Sequence, residues 1–173
     1  DIIDPHLDVD CLGILASEKF YENYNNQTDL VCPTALACMA LLDSLNIDLK
    51  GKIIVVLGQG ELVGRPVAAL LRYRGLTYLP ITSKTENKEY FLQQADVIIS
   101  GTGKGKYINS NMIKLGAVLI DAGTSEEVSD QSVCLPDDQA RTSIVGDVDF
   151  ESVKNIAGYI SPVPGGVGPV TVA

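Results

Sequence analysis

Apolar residues recur along this chain in two alternating rhythms. Residues 34–45, TALACMALLDSL, place apolar side chains at helical spacing behind Pro33, with small Ala and Cys among them, which predicts a well-buried helix with a proline-marked start. A polar link, Asn46 to Lys52, follows. KIIVVLG at 52–58 is a β-branched run of the type buried on both faces of a parallel sheet, and RPVAALLRYR at 65–74 reads as a helix closed by Gly75. LTYLPI (76–81) predicts a weaker second strand and EYFLQQA (89–95) a short helix. DVIISG (96–101) and AVLIDAG (117–123) are further strands, with a short helical segment near Ser110 to Lys114 between them. SIVGDV (143–148) and GYISPV (158–163) are two more. Such alternation predicts an α/β fold, a mostly parallel sheet with helices on both faces. No internal repeat or low-complexity tract interrupts it.

Gly58, Gly101, Gly123 and Gly146 fall at the ends of predicted strands. Ligands of open parallel sheets sit outside the carboxyl ends of the strands, where a residue without a side chain lets them reach the backbone, so these glycines mark one edge as the binding edge. The sharpest signal is Gly58-Gln59-Gly60-Glu61-Leu62-Val63-Gly64-Arg65-Pro66, a GxGxxxG turn between a strand and a helix. There the first glycine permits the tight turn, the second admits a phosphate or ribose, and the helix start offers free N–H groups. A turn of this kind makes the fold Rossmann-like and the ligand a dinucleotide. An NAD site usually carries Asp or Glu about 20 residues beyond the turn, for the ribose hydroxyls. This chain has Thr82-Ser83-Lys84-Thr85 there, and hydroxyls with an ammonium suit a 2′-phosphate, which favours NADP without excluding NAD. The segment Ser161 to Thr171 packs three prolines and three glycines into eleven residues, and so predicts a shaped loop able to wall a planar ring.

Composition narrows the partners. At 46% hydrophobic and 20% charged, with thirteen Lys and Arg against twenty-two Asp and Glu, the 173-residue chain is acidic, at a formal charge of −9. No Lys/Arg cluster stands out, which argues against nucleic acid and against an anionic membrane surface. Absence of a bilayer-length apolar run and of a signal-peptide pattern predicts a cytoplasmic protein. Cys11, Cys32, Cys38 and Cys134 lack CxxC spacing and the single histidine, His6, lies in a polar stretch, so no metal site is expected and the thiols read as small buried apolar groups. The first residue is not Met, and apolar Thr171 to Ala173 follow the loop where a helix could begin. Both features are read as marks of a piece of a longer protein.

GQGELVGRP after KIIVVL, SKT after the second strand, GAVLIDAG, IVGDVDF and SPVPGGVGPVTVA together resemble the cofactor-binding domain of the bifunctional methylenetetrahydrofolate dehydrogenase/methenyltetrahydrofolate cyclohydrolase family, collinearly from LDVD near the start to the last residue. The resemblance implies NADP-linked oxidation of methylenetetrahydrofolate to methenyltetrahydrofolate and hydrolysis of the product, in one-carbon metabolism, by a homodimer. It implies that cofactor contacts fall on Gly58, Gln59, Gly60, Ser83 and Thr124. Folate contacts fall on Asp10 and on Pro162, Val163, Pro164, Gly165, Gly166, Val167, Gly168, Pro169, Val170 and Thr171.

The same resemblance makes residues 1–173 an NAD(P)-binding domain, with 1–32 arriving from a folate domain not included here. That domain carries the catalytic Lys with its Tyr/Lys motif and a glutamine, so no catalytic residue falls on this chain, and a final helix that packs on it is absent too. Alone, the chain is expected to bind cofactor and turn over nothing. Leu7, Cys11, Gln59 and Thr82 depart from the family pattern, and Gln59, Leu7 and Cys11 favour an alternative, a non-catalytic dinucleotide-sensing module with a decayed site. A different two-domain NADP reductase would leave the terminal loop unexplained.

Overall fold

The computed structural model describes residues 3–23, 30–128 and 142–173. Helix α1 (Ile14–Asn23) and helix α2 (Pro33–Ser44) precede strand β1 (Ile54–Leu57), helix α3 (Gly64–Tyr73), strand β2 (Tyr78–Ile81), helix α4 (Lys88–Gln94) and strand β3 (Val97–Ser100). A 3₁₀ turn at Ser110–Met112 leads to β4 (Val118–Asp121), β5 (Ser125–Val128) and β6 (Thr142–Val145), then α5 (Phe150–Val153), β7 (Tyr159–Ile160) and α6 (Val167–Val172). Among the described residues no helix is long and apolar enough to cross a membrane.

The main sheet runs β2-β1-β3-β4-β7, all neighbours parallel. Its strands are apolar on both faces, and side chains alternate between two cores as the period of two requires. Ile54, Val56, Val97, Ile99 and Ile120 face a core shared with α1, α2 and α3. Val55, Leu57, Ile98 and Leu119 face a second core shared with Leu92 of α4 and Val153 of α5. The expectation of helices on both faces of a parallel sheet is thus met. Helix α1 docks on α3 through polar groups at the edge of the first core: Tyr73 Oη donates to Phe20 O at 2.7 Å, Arg72 to Tyr21 O at 3.0 Å, and the Arg65 guanidinium lies 5.0 Å over the Tyr21 ring.

Several elements differ from the sequence reading, in which α1 and α5 have no counterpart. Residues 143–148 do not join the parallel sheet; β6 pairs antiparallel with β5, a strand the apolar pattern missed because SEEV is polar. The proline-glycine segment is not one loop: a turn at 163–165 gives way to α6 from Val167, whose buried side chain joins the first core. Cys134 lies outside the described residues, while Cys11, Cys32 and Cys38 are buried as expected.

At the amino edge of the sheet Asp96 is the pin. It accepts from Ile53 N at 2.7 Å and from Lys114 Nζ at 2.7 Å, and the lysine's hydrogen bond holds its carboxyl below the usual carboxylate range. At the opposite edge the chain passes through the glycine turn. A Cβ on Gly64 would lie 1.9 Å from Gly58 O, so α3 starts directly against the backbone of the turn. Gly64→Ala is therefore expected to lower the stability of the fold by about 2–4 kcal/mol, an overpacking penalty that no rotamer change relieves, measured as a shift in urea midpoint at unchanged slope. An unshifted midpoint would mean that the turn is looser than its contacts imply.

Candidate functional site

The sheet changes direction between β1 and β3: the crossover through α3 leads out to β2, and the one through α4 returns to β3 on the other side of β1. At such a switch point the connections diverge and leave a crevice at the carboxyl ends of the strands. A cleft of about 390 Å³ opens there, with Gly58, Gln59 and Gly60 on one wall, Thr82, Ser83 and Lys88 on a second, and Gly101, Thr102, Lys104 and Tyr107 on a third.

The glycine turn is held from all sides. Gly58 has a φ of +90°, a left-handed conformation that favours glycine, and its N–H continues the ladder to Ile81 O at 2.9 Å. A Cβ there would lie 2.6 Å from Gly101 O, and a Cβ on Gly101 would strike Val63 at 2.6 Å. At these two glycines the close packing of protein on protein leaves no room for a side chain, and the backbone of both lines the cleft. Gly60 is different: a Cβ there would meet nothing within 4 Å, so its backbone faces open space in the cleft. The Gln59 side chain folds back, donating to Gly58 O at 2.8 Å and Val56 O at 3.3 Å. Glu61, the one acid of the turn, is paired with Arg65. Cys32, just before α2, donates its thiol to Leu62 O at 2.9 Å, and burial pushes that thiol up, which keeps it a donor.

The electrostatics of the cleft run against those of the chain. In a protein of charge −9, Lys88 and Lys104 line the cleft and no lining residue is a carboxylate. Among the described residues no acid lies within ion-pair distance of either lysine. Low-dielectric walls with one sign of charge concentrate ions of the other sign. The open Gly60 backbone, the cationic wall and the adjoining start of α3 fit a phosphorylated dinucleotide.

A second cavity, of about 290 Å³ and largely apolar, lies under the terminal loop, lined by Asp121, Thr124, Ile144 and residues 162–169. Thr124 stands with the loop residues here, not with the glycine turn, whereas Ser83 lines the cleft beside the glycine turn. Val170 and Thr171 belong to α6 and line neither cavity; Thr171 Oγ1 bonds back to Val167 O at 2.9 Å. Asp10 is exposed beyond both cavities, near enough to Cys32 for its charge to raise that thiol.

Two buried carboxylates, unmarked by sequence reasoning, join the cavities. Asp147 accepts from Ser100 Oγ at 2.6 Å, Thr102 N at 2.6 Å and Lys104 N at 2.9 Å, and so shapes the third wall of the cleft. Asp121 accepts from Gly123 N at 2.9 Å, Asp147 N at 3.1 Å and Val148 N at 2.9 Å. Gly123 and Gly146 make room for them: a Cβ on Gly123 would lie 2.1 Å from Asp147, and one on Gly146 2.1 Å from Asp121. The only signal in the sequence was an acid closing an apolar strand in VLID and IVGD.

A model of the family described as tetrahydrofolate dehydrogenase/cyclohydrolase, NAD(P)-binding domain, matches residues 32–173. A bifunctional protein FolD of Caldanaerobacter subterraneus subsp. tengcongensis is 38% identical over 174 residues, covering 100% of this chain and 56% of that protein. The bifunctional protein FolD 2 of Mesorhizobium japonicum is 43% identical over 148 residues, covering 86% of this chain and 46% of its own length. Among solved structures, the Trypanosoma brucei N5,N10-methylenetetrahydrofolate dehydrogenase-cyclohydrolase complexed with NADP cofactor and inhibitor superposes with a TM-score of 0.85 at 36% identity, over 98% of this chain and 56% of that one. The bifunctional enzyme of Campylobacter jejuni gives 0.80 at 34%, over 95% and 54%. The chain thus spans about half the length of the relatives it matches.

Burial raises Asp121 to about 6 against the three N–H groups that favour its ionised form. A carboxyl raised on folding binds its proton more tightly in the folded chain, so its contribution to stability is fully present below the unfolded value of 3.8 and is lost as pH rises through about 6. Asp121→Asn places an amide donor among N–H donors and is expected to cost about 2–4 kcal/mol at neutral pH. The gap between wild type and variant widens as pH falls from 7.5 to 4.5, read by urea unfolding at each pH; a gap that narrows on acidification contradicts the assignment.

Proposed function

The chain belongs to the tetrahydrofolate dehydrogenase/cyclohydrolase family, in its NAD(P)-binding domain, and on that premise we propose that it binds NADP for a folate enzyme that oxidises methylenetetrahydrofolate to methenyltetrahydrofolate and hydrolyses the product. The observation that carries this reading is the cleft at the switch point, which joins an open Gly60 backbone with two lysines that pair with no acid among the described residues. Bound NADP supplies the hydride acceptor. The residues of this chain hold and orient it: the Gly58–Gly60 backbone toward the pyrophosphate, Ser83 toward the phosphate-bearing ribose, and Thr102 and Lys104 along the opposite wall.

The cavity under the terminal loop suits the folate side of the reaction. It is apolar, adjoins the cleft through the Asp121–Asp147 contacts, and is walled by Pro162 to Pro169, while Thr124 at its rim bounds the region between the two ligands. Asp10 lies outside that cavity, and in this reading it contacts folate only together with the preceding folate domain, from which residues 1–32 arrive. The family model beginning at residue 32 supports that division. The catalytic Lys belongs to the other domain, so this chain alone binds and does not turn over. The whole protein is a cytoplasmic homodimer in this reading.

Calorimetric titration of the chain with NADP and with NAD, at matched salt, beside the whole protein with methylenetetrahydrofolate, tests the proposal. Dinucleotide binding by the chain and turnover only by the whole protein are expected. Turnover by the chain alone would overturn the division of labour, and no binding or turnover by either would leave the nucleotide-sensing alternative. Gly60→Ala puts a methyl group into the open space of the cleft: dinucleotide affinity is expected to fall about tenfold or more while the melting temperature stays within about 2 °C of wild type, since a Cβ there meets no protein atom within 4 Å. Undiminished affinity would place the pyrophosphate elsewhere.

A further inference from the structure

From the geometry of the second wall we propose that Lys88, not Lys84 of the SKT segment, selects the phosphate-bearing dinucleotide by pairing with the 2′-phosphate, an inference that rests on the dinucleotide reading of the cleft. The sequence offers Lys84 as the ammonium beside Ser83. In the structure Lys84 is exposed and does not line the cleft; its N–H is turned onto Thr82 Oγ1 at 3.2 Å. Lys88 enters from the first residue of α4, is half-buried, and lines the cleft together with Ser83 and the glycine turn.

The Lys88 ammonium is already positioned. Its Nζ donates to Ser83 O at 2.8 Å, a neutral carbonyl, which leaves two donors and its full charge available. Ser83 follows β2 at the edge of the sheet where the adenosine ribose of such folds lies, so the charge sits at the end of the cleft that distinguishes NADP from NAD. Thr82 and Thr85, joined by Thr82 N to Thr85 Oγ1 at 3.0 Å, hold the loop that carries Ser83. The neighbouring acids do not compete: Glu86 and Glu89 are exposed, line no part of this cleft and make no ion pair with Lys88. A 2′-phosphate would bring its charge to a lysine that pairs with no acid among the described residues, and NAD would bring none.

The test titrates wild type, Lys88→Gln, Lys88→Arg and Lys84→Gln with NADP and NAD. Lys88→Gln is expected to weaken NADP about tenfold, the scale of one charge-assisted hydrogen bond, and to change NAD less than twofold. Lys88→Arg keeps most of the preference and Lys84→Gln leaves it within about twofold, because an exposed lysine contributes little. The tenfold loss should shrink as salt rises from about 0.05 to 0.5 M. An equal loss for both dinucleotides would mean that Lys88 only props the Ser83 loop, and no loss, or a loss in Lys84→Gln alone, would equally overturn the assignment. Wild type that binds neither dinucleotide is a failure of the functional reading itself, separate from these outcomes.

Discussion

Two carboxylates exchanged between neighbouring loops hold the carboxyl edge of this sheet in shape. Asp121 at the end of β4 occupies the space that a side chain at Gly146 would need, and Asp147 occupies the space at Gly123. Asp147 gathers three hydrogen bonds from the end of β3 and the loop after it, Asp121 one from its own loop and two from the loop after β6, and together they fasten the loops after β3, β4 and β6 to one another. Ser161 adds the loop after β7, accepting from Asp121 N at 2.7 Å. Buried charges are costly unless their hydrogen bonds are complete, so this edge has little freedom to rearrange in part.

That constraint explains why the two cavities have fixed relative positions. Asp147 shapes the wall of the dinucleotide cleft at Thr102 and Lys104, while Asp121 lines the apolar cavity under the terminal loop. A bound nucleotide and a second ligand under the loop would therefore meet across one rigid partition. The opposite wall, at Ser83 and Lys88, is built from the loop after β2 and the start of α4, and takes no part in the interlock. The edge thus has an interlocked side, where the two cavities adjoin, and a side that carries the Lys88 charge.

Much of this was legible in the residues. Continuous β-branched runs such as IVVL and VIIS are buried on both faces whatever their partners, and the glycine turn is recognisable because a tight turn and a close backbone approach leave no alternative residue. Less legible were features set by tertiary contact. The strand SEEV has no apolar pattern, since the antiparallel β5–β6 pair stands apart from both cores. The helical start at Val167 was hidden by Pro169 and by glycines on either side, and it forms because Val167 packs into the first core. Gly101, Gly123 and Gly146 also leave room for Val63, Asp147 and Asp121, a packing role that depends on what lies opposite each glycine and that the strand ends alone do not reveal. The ammonium that lines the cleft beside Ser83 is that of Lys88 at the start of α4, not that of Lys84 next in sequence, a placement set by the fold of the loop after β2.

The central claim is that an anionic dinucleotide lies in the cleft between the glycine turn and the ends of β2 and β3. Backbone ¹⁵N–¹H shift mapping of the chain during titration with NADP tests it most directly. The account predicts the largest changes at Gly58 to Gly60, Ser83, Lys88 and Thr102 to Lys104, with the amino edge around Asp96 unmoved. Changes confined to the outer face of α4 around Tyr90, or spread without focus over the sheet, would contradict it.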